Sequence, residues 1–136
     1  MKIVKGRPPN FDEIVAAIPH AANPNVLFAY GNTIYTPSGS EISPWIVAHE
    51  EIHSMRQGAD PDGWWRRYLV DKQFRFTEEL VAHRCEWRTW MNMGVRNRHD
   101  KRFMMRIIAR RLSGPLYGGI VNFDAARTMI MTEAPT

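Results

Sequence analysis

The sequence predicts an α+β fold, mostly helical, with a small N-terminal β-hairpin or sheet packed against two helices in one domain spanning residues 1–136. Three observations carry this. Apolar residues recur at helical spacing through most of the chain after Ser43. A single hairpin signal stands before it, at residues 26–36. No repeat, low-complexity tract or long linker divides the 136 residues. With 44% hydrophobic and 24% charged residues, the composition is that of a globular chain and excludes a disordered or fibrous one.

The elements follow in order. Phe11 to Ile18 reads as a short helix, with Asn10 as its cap and Pro19 closing it. Val26 to Tyr30 and Thr33 to Thr36 are β-branched and aromatic, and Gly31-Asn32 between them suits a two-residue turn. Pro37 to Ser40 is a loop. Ser43 before Pro44 is a helix start, a capping side chain followed by a proline whose missing N–H costs nothing there. That helix runs to about Gln57, and Gly58 ends it. Asp60 to Gly63 reads as a turn, Trp64 to Asp71 as a helix, and Thr77 to Met93 as a longer helix closed near Gly94. Asp100 to Leu112 is amphipathic through Phe103, Met104, Ile107, Ile108 and Leu112. Ser113-Gly114-Pro115 breaks it, Tyr117-Gly118-Gly119 is a loop, and Phe123 to Met131 is a last short helix.

Charge and cysteine usage narrow the function classes. One cysteine, Cys85, allows no intramolecular disulfide and no four-cysteine metal site, so any metal must be held by His and carboxylate. The start, Met1 to Pro9, has basic residues without the apolar stretch of a secretory signal, and no apolar run reaches the eighteen or so residues of a membrane span. A cytoplasmic location and no membrane partner are expected. The net charge of +4 permits nucleic acid, cell-wall polymer or acidic protein as partner and selects none. Arg102, Arg106 and Arg110 form a stripe that reads first as a solvated face and second as a docking surface for phosphate or acidic groups. The interleaved aromatics of a single-strand binder are absent from that stripe, so nucleic acid is not favoured.

Chemistry concentrates at His49-Glu50-Glu51-Ile52-His53. Two imidazoles four residues apart lie one helical turn from each other on one face, where both can reach a metal at about 2.0–2.1 Å. Glu50 projects about 100° further round the helix, beside the metal, placed to take a proton from metal-bound water and deliver it to a leaving amine. Chance produces this pattern in roughly one in a hundred shuffled chains. Ile46, Val47 and Ile52 make the helix largely apolar, which is a poor place for an unpaired histidine.

A hydrolytic site needs a third protein ligand and an open position. The metzincin continuation would put Gly at 56 and His at 59; Arg56 and Ala59 stand there, so that arrangement is excluded. The helix at 77–93 offers Glu78, Glu79, His83 and Glu86, of which Glu79, His83 and Glu86 share a face with Ala82, a residue small enough to let two helices approach.

Glu79-x-x-Ala82-His83 resembles the Glu-x-x-small-Asp pattern of gluzincins, the thermolysin-like zinc peptidases. By that resemblance Glu79 is the third ligand, and His83 stands where the family has an aspartate that orients a ligand histidine. More widely, residues Tyr30 to Gly39, the His49–His53 helix with Gln57 after it, and Phe74-Arg75 with Glu79 and Ala82 resemble small metallopeptidases encoded in tailed-phage and bacterial genomes. The resemblance covers roughly residues 26 to 90. It implies a minimal zincin-like core of an edge strand, the motif helix and the glutamate helix, with Glu79 joining His49 and His53 on Zn2+ and Glu50 as base, and it supplies no substrate. The expected partner, a protein or peptide substrate with an acidic one allowed by the basic surface, comes from the hydrolase reading itself.

Around this site Thr33–Thr36 is the candidate edge strand for pairing an extended substrate, with an ordinary hairpin as the simpler reading. Tyr117, His83 and Arg84 are candidate donors to an oxyanion, and packing is the commoner fate of such a tyrosine. The five tryptophans read as core or cleft rim, and Cys85 as buried and inert. The leading function is a zinc metallopeptidase acting through Glu50-activated water. With no long N-terminal extension to inhibit it, narrow specificity is expected. The alternatives are a zinc amidase on a non-peptide or cell-wall substrate, and a basic nucleic-acid- or protein-binding module with a structural zinc.

Overall fold

The computed structural model describes residues 1–132, which form six α-helices, two 3-10 turns and one three-stranded sheet. The strands are β1 (Lys2–Lys5), β2 (Phe28–Tyr30) and β3 (Thr33–Thr36); the helices are α1 (Phe11–Ala17), α2 (Pro44–Gln57), α3 (Pro61–Val70), α4 (Lys72–Asn92), α5 (Arg98–Leu112) and α6 (Phe123–Met131). The mostly helical α+β expectation holds.

The hairpin forms in the expected register, Tyr30 opposite Thr33 across two turn residues. Gly31 takes φ +57° while Asn32 stays at negative φ, the pattern of a type II′ turn. Strand β1 is an addition to the sequence reading: Ile3 pairs with Ile34 in parallel, giving the order β1-β3-β2. Thr33–Thr36 is therefore the central strand. Both of its edges are already paired, so the expectation that it offers an edge to substrate is corrected.

Helix starts depart from expectation where an Asp or Asn side chain caps the first turn. Asp60 accepts from Gly63 N at 2.9 Å, so Asp60-Pro61 opens α3 instead of making a separate turn. Asp71 accepts from Phe74 N at 3.1 Å and starts α4 at Lys72, five residues before Thr77. Asn97 starts α5 at Arg98 by accepting from Asp100 N at 2.8 Å. Conversely, Asn10 and Ser43 stand at helix starts without making a side-chain cap.

Two apolar clusters hold the fold. One joins α4, α5 and α6 through Phe76, Leu80, Met105, Ile108, Leu112 and Ile130. The other joins α1, β2 and α3 through Ile14, Ile18, Phe28, Trp64, Trp65 and Tyr68. The apolar face of α5 is turned from the one expected: Phe103 and Ile107 are exposed, while Met105 and Ala109 are buried. Helices α2 and α4 pack against each other more extensively than any other pair of elements, and this contact builds the site. No helix among the described residues is long and apolar enough to cross a membrane.

Candidate metal centre

Helix α2 is held at its C-terminal end by the hairpin. Gln57 accepts from Gly31 N at 2.8 Å and donates to the Ala29 carbonyl at 2.7 Å, and Ser54 donates to the Gly31 carbonyl. These bonds fix which face of α2 meets α4. On that face His49 and His53 are buried, as are Glu79, His83 and Glu86 opposite them.

The side chains converge as the two-helix spacing requires. His49 Nε2 lies 3.2 Å from Glu79 Oε1, and His53 Nε2 lies 3.2 Å from Oε1 and 3.1 Å from Oε2 of the same carboxylate. One donor atom from each of His49, His53 and Glu79 falls within 4.8 Å of the others. Two ligands each about 2.05 Å from a zinc ion at tetrahedral angles stand about 3.3 Å apart. The three residues fit a metal in spacing and in donor chemistry. Tyr68 Oη donates to Glu79 Oε2 at 2.8 Å and so holds the carboxylate toward the imidazoles.

The remaining candidates from α4 have other occupations. Glu78 accepts from Arg56 Nε and Trp64 Nε1, both at 2.6 Å, and does not join the histidines in either cluster of metal-compatible spacing. Glu86 Oε1 lies 2.9 Å from His49 Nδ1, and its Oε2 is paired with Arg111. The contact with His49 Nδ1 is thus made by Glu86, one turn further along α4 than the position 83 to which the resemblance gave an orienting role. His83 is fully buried, and its Nδ1 donates to the Glu79 carbonyl at 2.6 Å. It lies behind Glu79, edge-on to His49 and Tyr117, and does not reach the cleft, which corrects its placement as a group facing substrate. His49, His83 and Glu86 also approach one another within 4.8 Å, but the Arg111 cation on Glu86 disfavours a dication there.

Electrostatics follow from burying this much charge. Burial acts to lower the His49 pKa, but hydrogen bonds to Glu79 and Glu86 overturn that and raise it to about 10. Burial likewise acts to raise Glu79, yet the charge and hydrogen bonds of His53 and His49 hold it well below the ordinary carboxylate range. Glu86 is lowered to about 2 despite burial, by His49 and Arg111. His83 is pushed down to about 3, by burial first and by the neighbouring His49 charge second, so it is a neutral ring. Glu50 is raised by burial, against the opposing pull of His53 and His49. Among the described residues Glu50 is engaged by no ion pair, unlike Glu78, Glu79 and Glu86.

A cleft opens on both sides of the cluster. The smaller lobe, about 60 Å³, is apolar and lined by Ile14, Ile18, Phe28, Trp64, Trp65 and Tyr68 around His49, His53 and Glu79. The larger lobe, about 400 Å³, is lined by Thr36, Ser38, Ser40, Glu41 and Arg111 among others. His49, Glu50, Tyr117, Leu116, Val26 and Leu27 border both lobes. Tyr117 sits in the 3-10 turn Pro115–Tyr117, largely buried, and burial keeps its hydroxyl protonated by raising it well above 10. Arg84 donates to the Met129 carbonyl at 2.8 Å, on α6, and takes no part in the cleft. Cys85 is half-buried rather than buried, against the Ala48 carbonyl.

Sequence reasoning missed Tyr68, Arg111 and the role of Glu86. Glu86 had a signal, its place on the face of Glu79 and His83; Tyr68 and Arg111 come from helices with no motif to mark them. No protein-family model, no curated protein and no solved structure matches this chain.

Proposed function

We propose that the chain is a zinc-dependent metallopeptidase of gluzincin type, with Zn2+ held by His49, His53 and Glu79. The observation that carries this is the burial of three histidines (His49, His53, His83) and four glutamates (Glu50, Glu78, Glu79, Glu86) at 7% exposure or less in so small a core. Burying charge in this quantity is costly without a ligand to gather it, and such clusters belong to functional sites more often than to structural ones.

An ion bound there would polarise a carbonyl and acidify a water, the chemistry of amide hydrolysis. Glu50, at the junction of the two lobes and free of ion pairs, takes the proton of the attacking water and returns it to the leaving amine. Its raised pKa favours both halves of that transfer. The Tyr117 hydroxyl, protonated and facing both lobes, donates to the oxyanion that forms at the former carbonyl. Glu86, backed by Arg111, accepts from His49 Nδ1 and so leaves Nε2 as the ring nitrogen that would hold the ion. An extended substrate lies along Val26 and Leu27, beside the outer edge of β2, because β3 is closed on both sides.

Narrow specificity follows from the small apolar lobe, which admits only a short side chain next to the ligands. A single cysteine is consistent with a reducing cytoplasm. The test is a peptide library incubated with zinc-loaded wild type and zinc-loaded Glu50→Gln. The proposal expects cleavage at a restricted set of sites by wild type and at least a hundredfold slower cleavage by the variant, with metal retained. Equal cleavage by both would remove Glu50 as the base, and ready digestion of unfolded casein would remove narrow specificity.

A further inference from the structure

Apart from the metal cluster, α4, α5 and α6 line a groove of about 340 Å³ that shares no residue with the cleft. Its apolar surface comes from Trp87, Met105, Phe123 and Met131, and its rim from Lys101, Arg102, Arg106 and Arg127. No acidic side chain among the described residues lines it. Among the described residues none of the four cations is in an ion pair. Arg102, Arg106 and Arg110 are exposed, as a solvated face requires; of the three, Arg102 and Arg106 also line this groove, where Trp87 and Phe123 from neighbouring helices stand with them.

We infer that this groove docks an acidic polypeptide segment that inserts one or two apolar side chains among Trp87, Met105, Phe123 and Met131 while its carboxylates meet the four cations. Charge complementarity selects an anionic partner. The apolar wall then selects among anions. Methionines conform to aliphatic and aromatic side chains, and a cavity of this size holds one or two of them. A nucleic-acid strand wants open ring faces for its bases, and Trp87 gives one of its two faces to Trp90, at 5.4 Å and 27°. In the peptidase reading the same groove grips a protein substrate at a distance from the scissile bond; that consequence rests on the proposed function, while the docking itself does not.

The experiment measures fluorescence anisotropy of a labelled peptide of about fifteen residues, Leu and Phe anchors among Asp and Glu, with the full-length Glu50→Gln chain. Three companions separate the terms: the same peptide with Asn and Gln for its acids, the same with Ser for its anchors, and oligothymidylate. Saturable binding of the first probe is expected, weakened about tenfold or more in each altered peptide. Reversing Arg102 and Arg106 together to Glu should weaken it similarly, whereas Lys2→Glu with Arg98→Glu, the same charge change outside the groove, should weaken it less than about threefold. No saturable binding, equal loss in the control, tighter binding of oligothymidylate, or self-association that hides the groove would each overturn the inference. The peptide alterations keep the native groove, so the test survives a variant that fails to fold.

Discussion

His49 is gripped through both ring nitrogens by two glutamates of one helix: Nε2 faces Glu79 at 3.2 Å and Nδ1 faces Glu86 at 2.9 Å. The two acids are seven residues apart, two turns of α4, and the ring spans the gap between them. One carboxylate is then a ligand candidate, and the other sets the tautomer by accepting from Nδ1.

That division predicts unequal consequences. Glu86→Gln keeps an acceptor near Nδ1 but removes the charge that makes His49 a better donor to metal, so zinc affinity should fall about 10- to 100-fold with the fold retained. Arg111→Met leaves Glu86 without its cation. The Arg111 side chain is 37% exposed, so water replaces part of what is lost, and the expected cost is about 1 kcal/mol of stability. Competition with a chromophoric chelator and urea unfolding measure the two effects.

Neighbouring glutamates should behave differently. Glu78 serves Trp64 and Arg56, so Glu78→Gln should retain zinc while costing about 1–2 kcal/mol from weakened buried hydrogen bonds. Trp64→Phe should cost a similar amount, again without loss of metal. Zinc loss in Glu78→Gln equal to that in Glu79→Gln would show that both carboxylates are ligands.

Without metal the site holds protons instead. His49 remains an imidazolium up to about 10 in the folded chain against an ordinary 6.5, so its stabilisation is full below 6.5 and is lost as pH rises toward 10. Glu79 and Glu86 are lowered, so theirs is full above 4.5 and is lost as pH falls, through about 2 for Glu86. These three groups together contribute most between about 4.5 and 6.5. His83, lowered to about 3, costs stability below 6.5, and Glu50, raised by burial, costs it above 4.5. The melting temperature of the metal-free protein should therefore fall toward both pH extremes. At pH 7 zinc must displace the His49 proton, and titration in buffers of different ionisation heat should show about one proton released. No buffer dependence would contradict the raised His49 pKa.

Tyr117→Phe keeps the ring that packs on His83 and removes only the hydroxyl. Zinc content and melting temperature should stay near wild type while kcat falls by about 10- to 100-fold. An unchanged kcat would assign Tyr117 to packing alone.

What the residues foretold follows a physical division. The pair His49 and His53, and Glu50 beside them, are legible because ligand spacing on one helix is a local property. The proposed third ligand is legible only as a set, since which of Glu78, Glu79, His83 and Glu86 meets the imidazoles of both His49 and His53 depends on how two helices are rotated, and Gln57 and Ser54 gripping the hairpin turn help to set that rotation. Strand β1 was missed because its four exposed residues carry no alternation of burial; it exists through pairing with β3. The helix start at Asp60 was blurred because Asp with Pro and Gly nearby opens turns and helices alike, and that at Asp71 because an aspartate between two helical stretches can end one helix as readily as cap the next. The α5 groove was invisible for a similar reason, its aromatic rings being contributed by other helices.

The central claim is a divalent ion held between α2 and α4, and its most direct measurement is the zinc content of purified protein, wild type against Glu79→Ala and His83→Ala. The account predicts about one zinc per chain in wild type, near-complete loss in Glu79→Ala, and retention in His83→Ala, because His83 lies behind the ligand carboxylate. A wild-type chain that takes up no zinc after dialysis against it, or a Glu79→Ala chain that binds as much as wild type, would contradict it.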